Sequence, residues 1–439
     1  MGSSSVNRIT DFALRQRLID DGLQSKLDWV FFVLAAAASI WLTWIVASLG
    51  LQASPWQIPA WILFWLVLAY LVLPRVHRIL SNIYVPNYFI GRARTADGLL
   101  GDPINLAFRG SEDELHSAMQ AAGWTLADPV SWRSSIRIVT ATMTRRSYDE
   151  APVSPLFVFG RKEDFAYQQE VDGSPGKRHH VRFWRCPDGW LLPGGTAVDW
   201  VAAGSYDRKV GLSMFTLQVT HKIAPDTDAE RDHIIDTIQA VEPVQVDVLR
   251  DFSTGYHARN GGGDSIQTDG NLPIVSLDAV RVDAARASAA KRNARAAARP
   301  ISIVLGTALI WLGALSVLSE AVFVWLQHGQ LHAEFDGRDI GDSIVLGLGI
   351  VFAALAILKV LLGWLVYVGS SWARTLVLAF TALTLVLQLT LAQGGSLDPL
   401  EPTTSISLAT DILTLLALSS EGAAAYVRRR RELARPIDS

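Results

Sequence analysis

The chain has 439 residues, of which 50% are hydrophobic and 18% charged, a balance too apolar for an ordinary soluble enzyme. A formal net charge of −3 leaves no global footprint for nucleic acid, which is not expected as a partner. The single cysteine, Cys186, excludes an intramolecular disulfide and requires no oxidising compartment.

The N-terminal segment 1–27 carries Arg8, Arg15, Arg17 and Lys26. Two apolar blocks follow, Leu27 to Gly50 and Trp56 to Leu73, joined by the uncharged turn "GLQASPWQ", so 28–74 is expected to be a transmembrane hairpin. Cytoplasmic loops retain Lys and Arg, which puts the amino terminus inside. The run "PRVHR" with Arg92 and Arg94 puts residues 74 to 300 on the same side. No cleavable signal peptide is expected, because the first apolar block starts late and is long enough to span.

From 75 to 258 the apolar runs shorten to strand length and turn residues punctuate them. "INLAFRG" alternates like a strand, and Ser111 with Glu114 has capping-box spacing before a helix that Gly123 stops. "PLFVFGRK", "FAYQQEV", "HHVRFWRC", "DWVAAGSYD" and "FTLQVTHKI" predict five strands, and Thr227 to Glu230 predicts a second capping box. The expected domain is α+β, a mainly antiparallel sheet with flanking helices on one face.

Residues 259–300 open with "NGGGDSIQTDGN", expected to be a flexible linker, and continue into a basic juxtamembrane helix. Between Arg281 and Arg299 six basic residues stand against one acidic, which suits anionic head groups of the inner leaflet. Plain positive-inside charge explains the same residues more simply. Region 301–427 carries four more apolar blocks: Ile301 to Leu326, Ile344 to Val368, Leu376 to Gln393 and Thr403 to Tyr426. The acidic loops "QHGQLHAEFDGRDIGDS" and "GGSLDPLEPTTS" fall outside, Arg374 marks an inner turn, and the basic tail 428–439 ends inside. The fold class is therefore a multi-pass α-helical membrane protein of six spans, with both termini and a cytosolic α+β domain on the inner side. Glu320, Lys359 and Asp411 are charges within spans. At about 1.5 Å per residue, Glu320 and Asp411 fall in the outer third while Lys359 lies nearer the cytoplasm and can snorkel, which argues against a simple pair.

The stretch "GSPGKRHHVRFWRC" concentrates the chemistry. Strand alternation puts His179, Val181, Phe183 and Arg185 on one face and His180, Arg182, Trp184 and Cys186 on the other. His221 shares an apolar face with Val219 and Ile223, where a histidine is usually a hydrogen-bonded core residue. The functional alternative makes His179, His180, Asp207 and His221 the acid, base, nucleophile or orienting groups of phosphate-ester chemistry. Lys177, Arg178, Arg182 and Arg185 would then hold the phosphoryl oxygens. His179, Asp207 and His221 could also form a facial triad for a metal. The chain has no HExxH, CxxC, Walker or GxSxG motif, so no metal or other cofactor is specified.

The blocks "DPINLAFRGSEDELHSAMQAAGW", "APVSPLFVFGRKEDFAYQQEV", "GSPGKRHHVRFWRC", "GSYDRKVGLS" and "THKIAPDTDAERD" occur in one order between about Asp102 and Ile234. This third of the chain resembles the LssY C-terminal domain family of bacterial membrane proteins. The resemblance implies a bacterial inner membrane. Relatives that carry the domain behind DedA-like and phosphatidic-acid-phosphatase-like modules imply lipid-phosphate or envelope metabolism. The phosphatase signatures themselves, Lys-Arg-Pro, Pro-Ser-Gly-His and Ser-Arg with His-Asp, are absent. Where the family pattern has two histidines, this chain has His221 and Lys222.

Two functions are thus expected. One is a phosphate-ester hydrolase or transferase acting on a lipid-linked or phosphate-bearing substrate at the inner leaflet. The other is a non-catalytic scaffold or binding subunit recognising a head group, nucleotide or protein partner. Convergence of the histidines, Arg182 and Asp207 on one pocket would separate them.

Overall fold

The computed structural model describes the chain apart from residues 1–2, 52–54, 85–88, 97, 129–153, 172–173, 213–216, 218, 254–258, 296–298, 327–339, 396–397 and 434–439. It gives the backbone alone at 3–23, 174–176, 209–212, 219–221, 292–295, 324, 340–345, 402–403, 429 and 431–433. Two units emerge, one formed by Met1–Val72 with Arg299–Ser439 and the other by Leu73–Ala298.

The first unit is helical: α1 (Ser3–Leu51) and α2 (Gln57–Val67), which runs through a π turn at Leu68–Val72 into α3 (Leu73–Tyr84) of the second unit. Among the described residues, five helices are long and apolar enough to cross a membrane, Gln24–Leu51, Gln57–Tyr84, Ile301–Phe323, Leu346–Tyr367 and Ser371–Gln393. A sixth crossing arises if Thr404–Leu418 and Glu421–Arg428, bent by 52°, count together.

In the second unit, α3 leads into β1 (Arg92–Thr95), β2 (Leu100–Pro103), β3 (Leu106–Arg109), α4 (Glu112–Ala121) and β4 (Thr125–Leu126). Then come β5 (Leu156–Val158), β6 (Arg161–Lys162), β7 (Phe165–Val171), β8 (Ser174–Arg185), β9 (Trp200–Leu212) and β10 (Val219–Ile223). Helix α5 (Thr227–Gln239), β11 (Gln245–Leu249), β12 (Leu272–Ser276) and α6 (Ala284–Arg295) complete it. The main sheet runs β11-β12-β3-β9-β8-β7-β4 with β10 on the far half of β9; among its described strands the β12–β3 pair is parallel and the others antiparallel.

Both faces of this sheet are covered, because each strand alternates apolar residues to both sides. On one face Phe108, Val181 and Phe183 pack with Leu115 and Met119 of α4 and Ile234 and Ile238 of α5. On the other, Trp184, Val201 and Ile274 pack with Ile104 and with Ala93, Leu156 and Val158 of a second, four-stranded sheet ordered β2-β1-β5-β6. The expected α+β layer is present, and the second sheet is an addition whose strands of two to four residues are too short to show a period.

The linker expectation fails over part of its length. β12 pairs with β3 and β11 inside the main sheet, and Leu272, Ile274 and Val275 are buried. The glycine-rich turn before it is held by Asn260 Oδ1, which accepts from Gly262 N and Asp264 N, and by Lys222 Nζ, 3.3 Å from Asp264. The basic helix α6 docks on α4 through buried Ala287 and Ala290 and through Lys291, 2.8 Å from Asp113.

Local chemistry sets the helix ends. Ser111 Oγ accepts from Glu114 N while Ser111 N donates to Glu114 Oε2, a complete capping box, and Gly123 at φ +79° ends the turn that follows. The second capping box does not form. Asp226 caps α5 instead, accepting from Asp228 N and Ala229 N, and this frees Glu230 for the sheet.

Helix α5 lies so close to β9 that a Cβ at Gly204 would collide with Ile234 Cδ1. Gly204→Ala is therefore expected to cost about 1–3 kcal/mol through overpacking. Adding Ile234→Val, which removes the colliding atom, should recover part of the loss in thermal unfolding of the detergent-solubilised protein.

Candidate functional site

The pleat of β8 divides the predicted site between two layers. His179 lies on the helix face, where its Nδ1 is 2.6 Å from Glu230 Oε2 on α5. Its ring stacks on His233, 4.2 Å between centroids, and tilts against Tyr206 at 4.7 Å. Glu230 is buried, whereas the His179 side chain keeps 23% of its surface. A buried carboxylate thus holds a partly accessible imidazole, the relation that fixes an imidazole's tautomer and leaves its second nitrogen available. Burial, followed by the nearby His179 charge, pushes the His233 imidazole down.

His180 faces the other way, into the seam between the two sheets. Cross-strand register lays out two successive polar rows there, Glu170–Arg178–Asp207 and Gln168–His180–Ser205, followed by Arg182 between Ala166 and Ala203. Asp102, carried by β2 of the small sheet, enters this layer. Its Oδ2 accepts from Arg182 Nη1 and from Ser205 Oγ, each at 2.8 Å. With its proton given to Asp102, Ser205 Oγ accepts from His180 Nε2–H at 2.7 Å. Asp207 Oδ2 lies 3.6 Å from His180 Nδ1. Burial pushes the Asp102 carboxyl up, but the His180 imidazole 3.9 Å away, the Arg182 guanidinium and the Ser205 hydrogen bond outweigh it, leaving Asp102 well below the ordinary carboxylate range.

Ser205, His180 and Asp207 follow the order of a nucleophile, base and orienting acid. Catalysis there meets two obstacles. Ser205 is 1% exposed, and its hydroxyl proton points at a carboxylate that is already ionised. The network is a link between sheets, with Arg182 Nε donating also to the Ser154 carbonyl.

The four cations do not converge. Lys177 and Arg185 are both exposed but stand eight residues apart on β8, about 26 Å at strand rise. Arg178 and Arg182 face the small sheet. Arg185 lines an open recess of 540 Å³ with Phe159, Arg161, Asp164, Cys186 and Asp188. Arg161 is bound there by both oxygens of Asp164, while the Arg185 guanidinium has no described partner. Cys186 is buried, and burial, then Asp199, pushes its thiol up to about 12, so it is no nucleophile at neutral pH.

The predicted facial triad does not assemble, because His179 and Asp207 project from opposite faces of the sheet. The His221 side chain lies outside the described residues, its backbone pairing with Val210. Among the described residues, no three His, Cys, Asp or Glu side chains gather as metal ligands. Asp102, Ser205, Glu230 and His233 carry the polar contacts and were not predicted. Glu230 had a legible signal, since it shares the buried stripe of α5 with Ile234 and Ile238, and the half-buried His233 lies beside that stripe. Asp102, in a four-residue strand, had none.

Fold and site together define a sheet-rich α+β domain borne by a chain rich in membrane-length apolar helices. Residues 82–272 match the family described as LssY C-terminus, and this part of the chain is an LssY C-terminal domain. No curated protein and no solved structure matches the chain.

Asp102→Asn is expected to leave Arg182 buried against a neutral partner, at a cost of about 3–5 kcal/mol near neutral pH. A carboxyl whose folded value is depressed stabilises above its unfolded value, about 3.9, and loses that contribution as pH falls through the folded one. Wild-type stability should therefore decline below about pH 4 more steeply than that of Asp102→Asn, measured by tryptophan fluorescence across a pH series.

Proposed function

We propose that the chain is a membrane-anchored binding component whose LssY C-terminal domain presents a recognition surface at the cytosolic face of a bacterial inner membrane. The observation that carries this reading is the Asp102 network. It occupies His180 and Arg182 in a buried seam, which leaves the predicted catalytic set without a shared pocket. The recess beside Arg185 supports an anionic, phosphate-bearing ligand, because it joins a guanidinium with no partner among the described residues to a concave surface. The excess of Lys and Arg at the inner ends of six spans supports the cytosolic side for both termini and for residues 75–300, with anionic lipid beside α6.

A second reading, a phosphate-ester hydrolase or transferase, is favoured by the His179–Glu230 pair, in which the imidazole is both oriented and partly exposed. The two separate in one experiment on the detergent-solubilised protein, with inorganic phosphate, a polyprenyl phosphate and a nucleotide as probes. Under the binding reading, Arg185→Ala abolishes the thermal shift produced by one of these probes. His179→Asn then lowers the melting temperature by an amount that reflects about 1–3 kcal/mol of unmet hydrogen bonding and leaves affinity intact. Phosphate release that disappears in His179→Asn at unchanged melting temperature would establish the enzyme instead.

The topology has its own check. A cysteine replacing Gly395 should react with an impermeant maleimide in intact cells, and one replacing exposed Lys177 only after permeabilisation. Cys186 serves poorly as a reporter, since its buried, high-pKa thiol reacts slowly on either side. The opposite labelling pattern would remove the cytosolic assignment.

A further inference from the structure

Two polar side chains that the domain does not involve meet inside the helical unit, on α9 (Ser371–Gln393) and α10 (Pro402–Leu418), and the charge of a lysine on α8 (Ile340–Tyr367) acts on them. Gln388 Nε2 of α9 donates to Asp411 Oδ2 of α10 at 3.4 Å, and Lys359 of α8 lies within electrostatic reach of the same carboxylate without a direct ion pair. Lys359 does not turn to a helix end. Its Nζ lies against Gly313 of α7 (Ile301–Leu326), where a Cβ would sit 3.2 Å away, so the missing side chain makes room for the ammonium inside the bundle. Among the described residues, Asp411 meets no charge but Lys359, and Glu320 of α7 points outward.

An ionisable pair among apolar helices costs several kcal/mol unless it is closely paired or put to use. This pair is not closely joined, and Gln388 Oε1 is buried with no hydrogen-bond partner. The amide suits a carboxyl that changes state. Its N–H₂ donates to an Asp411 oxygen at 3.4 Å, and after rotation its orphan oxygen can accept the O–H of a protonated carboxyl. A structural pair would need only the first arrangement.

We propose that Asp411, Gln388 and Lys359 form a protonatable site through which the helical unit carries protons across the membrane. One proton from one side forms the O–H bond of Asp411, and the same bond breaks on release to the other side. The carboxyl thus alternates between one negative charge and none, so the step responds to membrane potential. This activity does not rest on the binding reading of the domain.

The test uses the full chain in liposomes with a trapped pH dye and a potassium diffusion potential, negative inside. Wild type should acidify the lumen faster than protein-free vesicles. Asp411→Asn should fall to the protein-free leak, Asp411→Glu should restore part of the flux, and Gln388→Leu should slow it. Glu320→Gln should match wild type. If Asp411→Asn fails to insert, Lys359→Gln and Gln388→Leu decide the matter, since both leave the carboxyl in place. Wild-type flux equal to the protein-free leak, or variants of all three residues that conduct like wild type, would overturn the proposal.

Discussion

In a strand covered on both faces, consecutive side chains enter different layers, and each polar one must find its partner in its own layer. Strand β8 sits in the middle of the main sheet between β7 and β9, under helices on one side and the small sheet on the other. His179 and His180, adjacent in sequence, are therefore answered by groups far apart in the chain. Glu230 of α5 meets the first, and Ser205 with Asp102 of β2 meets the second. These links tie both covering layers to one strand, so the position of α5 and the seating of the small sheet depend on the same two residues.

The alternation was legible, and with it the division of "HHVRFWRC" between faces. What could not be read was the identity of the partners, because they lie on other elements and sequence spacing carries no information about them. Asp102 falls in a turn-like "GDP", and its role appears only when β2 folds over the sheet. Glu230 is legible as a helix residue, and its spacing from Thr227 reads as a capping box, but Asp226 takes the cap and leaves the carboxylate free. Strand β12 was masked by the glycine-rich turn before it. Its five residues are apolar, but a run that short fits a loop as well as a strand until β3 and β11 are in place to pair with it.

In the helical unit the charge that marked an inner turn proves to be structural as well. Arg374 is 1% exposed, its Nε donates to the Leu418 carbonyl at 2.8 Å and its Nη1 to Asp28 at 2.7 Å. Leu418 ends α10, so the guanidinium takes a carbonyl that the helix leaves without an intrahelical donor, at the negative end of its dipole. The 52° bend to α11 (Glu421–Leu433) follows at once. Counting depth along an unbroken helix separated Asp411 from Lys359. Even so, the Asp411 carboxylate feels the Lys359 charge.

The two units treat buried charge differently. In the seam of the domain, Asp102 receives a guanidinium and a hydroxyl, and its ionised state is stabilised, so changing that state would loosen the contact between sheets. In the helical bundle, Asp411 has one weak amide contact and a cation too distant to bond. A charge held in its best state has no free energy to release on changing, whereas one left partly uncompensated can change state at small cost. On that argument, the residues with the strongest contacts in this chain are architecture. Groups that act have to be sought where contacts are incomplete: the free edge of His179, the Arg185 guanidinium with no partner among the described residues, and the orphan oxygen of Gln388.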